Sequence, residues 1–69
     1  MKVSARNVLA GTIRGITKGP MNTLVRIEVA PGVLVSAMVT TDAIADLELA
    51  EGKRAYALIK ASSILVGVD

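Results

Sequence analysis

Two short polar segments hold the residues of this chain whose types and spacing could do chemistry. They are Ser4-Ala5-Arg6-Asn7 near the start and Lys60-Ala61-Ser62-Ser63 near the end. Each joins a cation to hydroxyl or amide donors and a small residue. A tetrahedral oxyanion presents only acceptors, so a site for one must supply donors and charge. Arg6 and Lys60 would supply charge, and Ser4, Asn7, Ser62 and Ser63 neutral donors. Ala5 and Ala61 are small enough to let backbone N–H groups point at a small ligand, as in an anion nest. The same residues also suit ordinary loops: Ser and Asn before a strand and Lys at a strand end are commonly solvated.

Other chemistries lack their parts. The chain has no Cys, hence no disulfide and no thiolate site for a metal, and no His, the commonest general base and metal ligand. No nucleophile–base pair is evident, and the expectation is a binding protein rather than an enzyme, with no organic cofactor and no metal centre. The acids Asp42, Asp46, Glu48 and Glu51 cluster around one short segment and read as a solvated face. The net charge is only +2 and Tyr56 is the sole aromatic residue. Binders of single-stranded nucleic acid stack bases on aromatic rings at ~1–3 kcal/mol per base. A nucleic-acid partner is therefore not expected.

At 69 residues the chain is read as one domain, residues 1–69. A chain of this length buries only about 60% of its unfolded surface and is marginal alone. Yet 52% of its residues are hydrophobic and its mean hydropathy is +0.58. Self-association is the expected source of further burial. No apolar run approaches the ~20 residues that span a bilayer, and Gly11, Thr12 and Arg14 interrupt any signal-like stretch. The expectation is a cytoplasmic protein without membrane attachment.

The elements that must position the two segments read as strands. Residues 8–17 form a strand containing Gly11 and Gly15, where a bulge, a bend or a close backbone approach is expected. Residues 18–22 are a turn. Residues 23–30 alternate, with Val25, Ile27 and Val29 on one face and Arg26 and Glu28 on the other. Ala30-Pro31-Gly32 turns the chain into residues 33–40, which alternate with apolar groups on both faces, so that both faces are expected to be covered. Thr40 or Thr41 then caps one to two turns of helix through Leu47, with Asp42 in the first turn and Ile44 and Leu47 on one face. Residues 53–60 and 63–68 complete the set. The predicted fold is all-β: a small five-stranded OB-like Greek-key barrel with one short helix between strands 3 and 4. An SH3-like barrel is the competitor on strand count. Closing a small barrel also explains bends at Gly11 and Gly15.

Against this background the chain resembles the molbindins, free-standing Mop domains of the molybdate-binding OB-like (TOBE) family. The resemblance runs from Val3-Ser4-Ala5-Arg6-Asn7 through Leu9-Ala10-Gly11, Ile27-Glu28-Val29 and Ser36-Ala37-Met38-Val39-Thr40 to Ala57-Leu58-Ile59-Lys60-Ala61-Ser62. It covers essentially the whole length. The pairing of Ser-Ala-Arg-Asn with Lys-Ala-Ser is its specific part. The resemblance implies intracellular binding and storage or buffering of molybdate or tungstate. It implies a homo-oligomer, a hexamer built as a trimer of dimers, with anion sites between subunits. Ser4, Ala5, Arg6 and Asn7 would come from one subunit, and Lys60, Ala61 and Ser62 from a neighbour. It further implies a second anion site near an assembly axis, for which the turn residues Lys18, Gly19, Met21 and Asn22 are candidates; Pro20 has no N–H to offer there. A nucleic-acid-binding OB module and an oxyanion-sensing accessory domain of a transporter or regulator are the alternative functions. The start at Met1, without DNA-binding or ATP-binding segments, favours a free-standing role.

Overall fold

A computed structural model describes residues 1–69. It contains β1 (Asn7–Lys18), β2 (Asn22–Ala30), β3 (Val33–Thr40), the helix α1 (Thr41–Asp46), β4 (Arg54–Ile59) and a 3-10 turn, Ala61–Ser63. The four strands form one sheet in the order β3-β2-β1-β4, and every pairing is antiparallel. Three hairpin-connected strands with the fourth returning beside the first is the Greek-key order. The long strand β1 serves two partners. Its first half, Asn7–Thr12, pairs with β4, and from Thr12 to Lys18 it pairs with β2.

That double duty requires sharp curvature, and the two glycines permit it. The β1–β2 register shifts between Ile13 and Gly15, leaving Arg14 as a bulged residue. A Cβ on Gly11 would stand 2.4 Å from the Glu28 carbonyl oxygen, closer than any side chain tolerates. The bulge aims Arg14 at Glu28, with Nε 3.0 Å from Oε1. The other Glu28 oxygen accepts from the Gly32 N–H at 3.3 Å. Both contacts favour the ionised carboxylate, so the Arg14 hydrogen bond first, and then that from Gly32, hold Glu28 below the usual carboxylate range.

The core is small. Ile13, Val25, Ile27, Ile44 and Ala57 are its buried members, with Ile16, Val29, Val35, Val39, Leu49 and Ala55 packed around them. The inward set of β2 matches the alternation of its sequence. Thr40 caps α1, its hydroxyl accepting from the Ala43 N–H at 3.2 Å, and Ile44 is the helix's one buried residue. Leu47, expected on the same face, is the C-cap and is 65% exposed. The helix stops before its second turn can turn Leu47 inward. At its other end α1 is clasped to the β1–β2 turn. The Thr41 hydroxyl donates to the Gly19 carbonyl at 2.7 Å and lies 2.8 Å from the Thr23 hydroxyl. A hydroxyl has one proton to give, so Thr23, which is fully buried, donates to Thr41.

Two expectations need correction. β3 does not have both faces covered: Leu34 and Met38 are 51% and 65% exposed. Nor does the chain by itself form the five-stranded closed barrel. Residues 63–68, read as the fifth strand, contain the end of the 3-10 turn and a tail that joins no ladder. The sheet curls without closing, so β3 and β4 each keep one unpaired edge.

Candidate oxyanion cleft

Antiparallel pairing of β1 with β4 places Asn7 opposite Ile59. The residues just before Asn7 therefore lie beside those just after Ile59, within one chain, although 52 positions separate that pair; the two segments expected from neighbouring subunits are thus brought together by the β1–β4 ladder of a single subunit. An open cleft forms there, lined by Ser4, Ala5, Arg6, Leu58, Lys60, Ala61 and Ser62. Six of these seven are residues that the sequence singled out.

The cleft's polar groups are uncommitted. The chain's one ion pair is Arg14–Glu28, so Arg6 and Lys60 face no carboxylate. No acidic residue lines the cleft. Ser4, Arg6, Lys60 and Ser62 are all exposed, and Ala5 is half-buried. The 3-10 turn adds backbone donors. Its first hydrogen bond runs from the Ser63 N–H to the Lys60 carbonyl at 2.9 Å. The N–H groups of Ala61 and Ser62 precede that bond and remain available, as at the start of any helical turn. Two cations, two hydroxyls and free N–H groups around small residues make a donor-only surface suited to a compact anion.

Two assignments change. Asn7 is not a lining residue: its side-chain amide donates to the Ile59 carbonyl at 3.3 Å, bracing the two segments together. Ser63 is also outside the lining, its N–H used to close the turn. Leu58 is the lining residue that the motif search missed. Its signal was present in the period of a strand, since Leu58 and Lys60 are two apart and share a face. The turn proposed for a second anion site gathers Lys18, Gly19, Met21 and Asn22 in one place, separate from this cleft. There the Gly19 N–H is spent on the Asn22 carbonyl at 3.0 Å and the Gly19 carbonyl on Thr41.

With this geometry in view, comparison with known proteins is informative. The TOBE domain model matches residues 3–66. The probable molybdenum-pterin-binding protein of Haemophilus influenzae is 45% identical over the full length of both chains. The high-resolution structure of a molybdate-binding protein from Sporomusa ovata superposes with a TM-score of 0.90 at 35% identity, over 99% of this chain and all of that one. The cytoplasmic molybdate-binding protein ModG, in a form with molybdate bound, superposes with a TM-score of 0.94 at 40% identity. That match covers all of this chain and 49% of ModG, so this chain spans about half of that relative.

Proposed function

This chain belongs to the TOBE-domain family, and from that premise we propose that it binds molybdate or tungstate, without catalysis, as a cytoplasmic store or buffer of the oxyanion. The observation that carries the reading is the cleft itself: Arg6 and Lys60 line it together, with hydroxyl and backbone donors and no carboxylate among them. Lys60 is the principal point charge. Arg6 provides a second cation with a fork of donors. Ser4 and Ser62 donate hydroxyls, the N–H groups around Ala5 and Ala61 complete the shell, and Asn7 fixes the spacing between its two arms.

The reading extends to a homo-oligomer, a hexamer arranged as a trimer of dimers, whose subunits are five-stranded OB-like barrels and whose neighbours complete the exposed side of each cleft. Its support is the shallow, open shape of the cleft and the apolar surface the single chain leaves uncovered. A second anion site at Lys18–Asn22 would rest on the Lys18 ammonium and the Asn22 side chain, because the Gly19 N–H is already bonded.

Titration calorimetry with molybdate, tungstate, sulfate and phosphate tests the proposal. Heat of binding with molybdate or tungstate, and weak or no heat with sulfate and phosphate, is the expected result. No heat with either metal oxyanion at micromolar protein sinks it. Native mass with and without molybdate tests the hexamer.

A further inference from the structure

The outward face of β1, β2 and β3 carries a second set of donors, away from the cleft. Val25 and Ile27 are buried in the core, so Arg26 between them points outward. Gly15 of β1 stands opposite it on one side and Ser36 of β3 on the other. Gly15 is buried although it has no side chain, and the Arg26 guanidinium lies against it. A Cβ on Gly15 would stand 2.8 Å from Arg26 Nε and 2.9 Å from Cζ, with the Nη2 nitrogen nearer still. The guanidinium thus occupies the space where a side chain of β1 would otherwise stand. Three arginines share this face. Arg14 is paired with Glu28, whose other oxygen is held by the Gly32 N–H. Arg54, opposite Thr12, lies over the Tyr56 ring with Cζ 5.6 Å from the ring centroid. Arg26 has neither a carboxylate nor a ring, and its side chain donates to no acceptor in the chain.

A guanidinium fork takes carboxylates and phosphates in bidentate geometry. Arg26 is half-buried and held against the strand, so a partner loses less side-chain freedom by binding it. Its neighbours decide between the two anions. Leu24 and Met38 fill the next row of the ladder on one side, and Leu34, opposite Glu28, stands on the other; Met38 and Leu34 are both exposed. A phosphate chain offers nothing to these side chains, whereas a protein segment with an acidic residue between apolar ones matches all of them. We propose that this face is a docking surface for a partner protein that presents a carboxylate between apolar side chains, with Arg26 as the anchor. Arg26 takes the carboxylate, Ser36 offers a hydroxyl beside it, and Leu34 and Met38 pack against the flanking apolar groups. The surface sits on the half of β1 that pairs with β2, and the oxyanion cleft begins at the half that pairs with β4. A partner therefore engages the protein without displacing an anion, and the proposal stands apart from the ligand assignment.

The probe is a short blocked peptide of alternating leucine and glutamate, titrated into the full-length protein and followed by amide NMR. Saturable shifts at Gly15, Arg26 and Ser36 are expected, and they should vanish when glutamine replaces glutamate in the peptide. No shift at these amides, or equal shifts with the glutamine peptide, overturns the proposal. So does a duplex oligonucleotide that binds at the same amides. Arg26→Gln should weaken the peptide by about tenfold or more, the size of a lost charge-assisted hydrogen bond, and leave molybdate affinity unchanged. Arg26→Lys keeps the charge but not the fork, and full peptide affinity in that variant overturns the anchoring role. Gly15→Ala displaces the guanidinium without touching any charge, and it should weaken the peptide in the same direction while circular dichroism shows an intact sheet. The native mass of Arg26→Gln should equal that of the wild type; a fall in mass assigns this face to a second copy of the chain and overturns the proposal.

Discussion

The two ends of β1 treat their polar groups in opposite ways. At the end near Lys18, three hydroxyls are used: Thr23 donates to Thr41, Thr41 donates to the Gly19 carbonyl, and Thr40 caps the helix. At the end near Asn7, one amide braces the strands, and two cations and two hydroxyls point at nothing within the chain. The first end is built to hold the fold: Thr23 is fully buried and Thr41 half-buried, and their hydroxyls are matched internally. The second leaves its donors unmatched in water, where that costs little, and free for the oxyanion proposed above. Stability and binding should therefore respond to separate sets of residues.

The sharpest test of that division removes core volume. Ile13→Ala should cost ~2–5 kcal/mol, because Ile13 is fully buried between β2 and β4. Urea unfolding should show it, while any fraction still folded keeps its affinity for molybdate. At the opposite pole, Lys60→Ala should weaken molybdate binding by ~1.5–3 kcal/mol through loss of a charge-assisted contact. Its unfolding midpoint should match the wild type, and a large shift in that midpoint would erase the contrast between the two ends. Thr41→Val should cost ~1–3 kcal/mol of stability, since it strands the buried Thr23 hydroxyl and the Gly19 carbonyl together. Calorimetry on this variant should give unaltered molybdate affinity. The smallest effect belongs to Glu28, a half-buried residue whose carboxylate stays open to solvent at 29% side-chain exposure. Its folded pKa is lowered by Arg14 and Gly32, so its contribution is full above the ordinary carboxylate range and disappears as pH falls through the depressed folded value. Glu28→Gln should slightly lower stability at neutral pH and converge on the wild type in acid, as read by unfolding across a pH series.

Local pattern carried most of the fold. Alternation located β2 and β3 to within a residue, and Thr40 marked the helix start by its capping chemistry. Gly11 and Gly15 announced the bulge and the close crossing of β1 over Glu28. What pattern could not reveal was partnership. Ile64, Leu65, Val66 and Val68 look like a strand because their side chains suit one, but a strand needs an edge, and in the structure these residues join no ladder. Leu47 shows the same limit: its spacing from Ile44 is right for a shared face, yet the helix ends at Asp46. In the cleft, residue type identified the donors, while geometry decided their roles. Asn7 has the chemistry of a ligand, but its pairing opposite Ile59 gives its amide a carbonyl to bond.

The Asn7–Ile59 pairing also sets when the cleft can exist. The reversals from β1 to β2 and from β2 to β3 are tight and local, whereas the β1–β4 ladder must wait for residues 41–53 to be spanned. Loop-closure entropy makes such a contact slower to form than a hairpin. The two halves of the cleft are thus joined last during folding and part first when the sheet frays. An anion bridging them would act as a late-closing latch, slowing amide exchange along β4 in proportion to its occupancy.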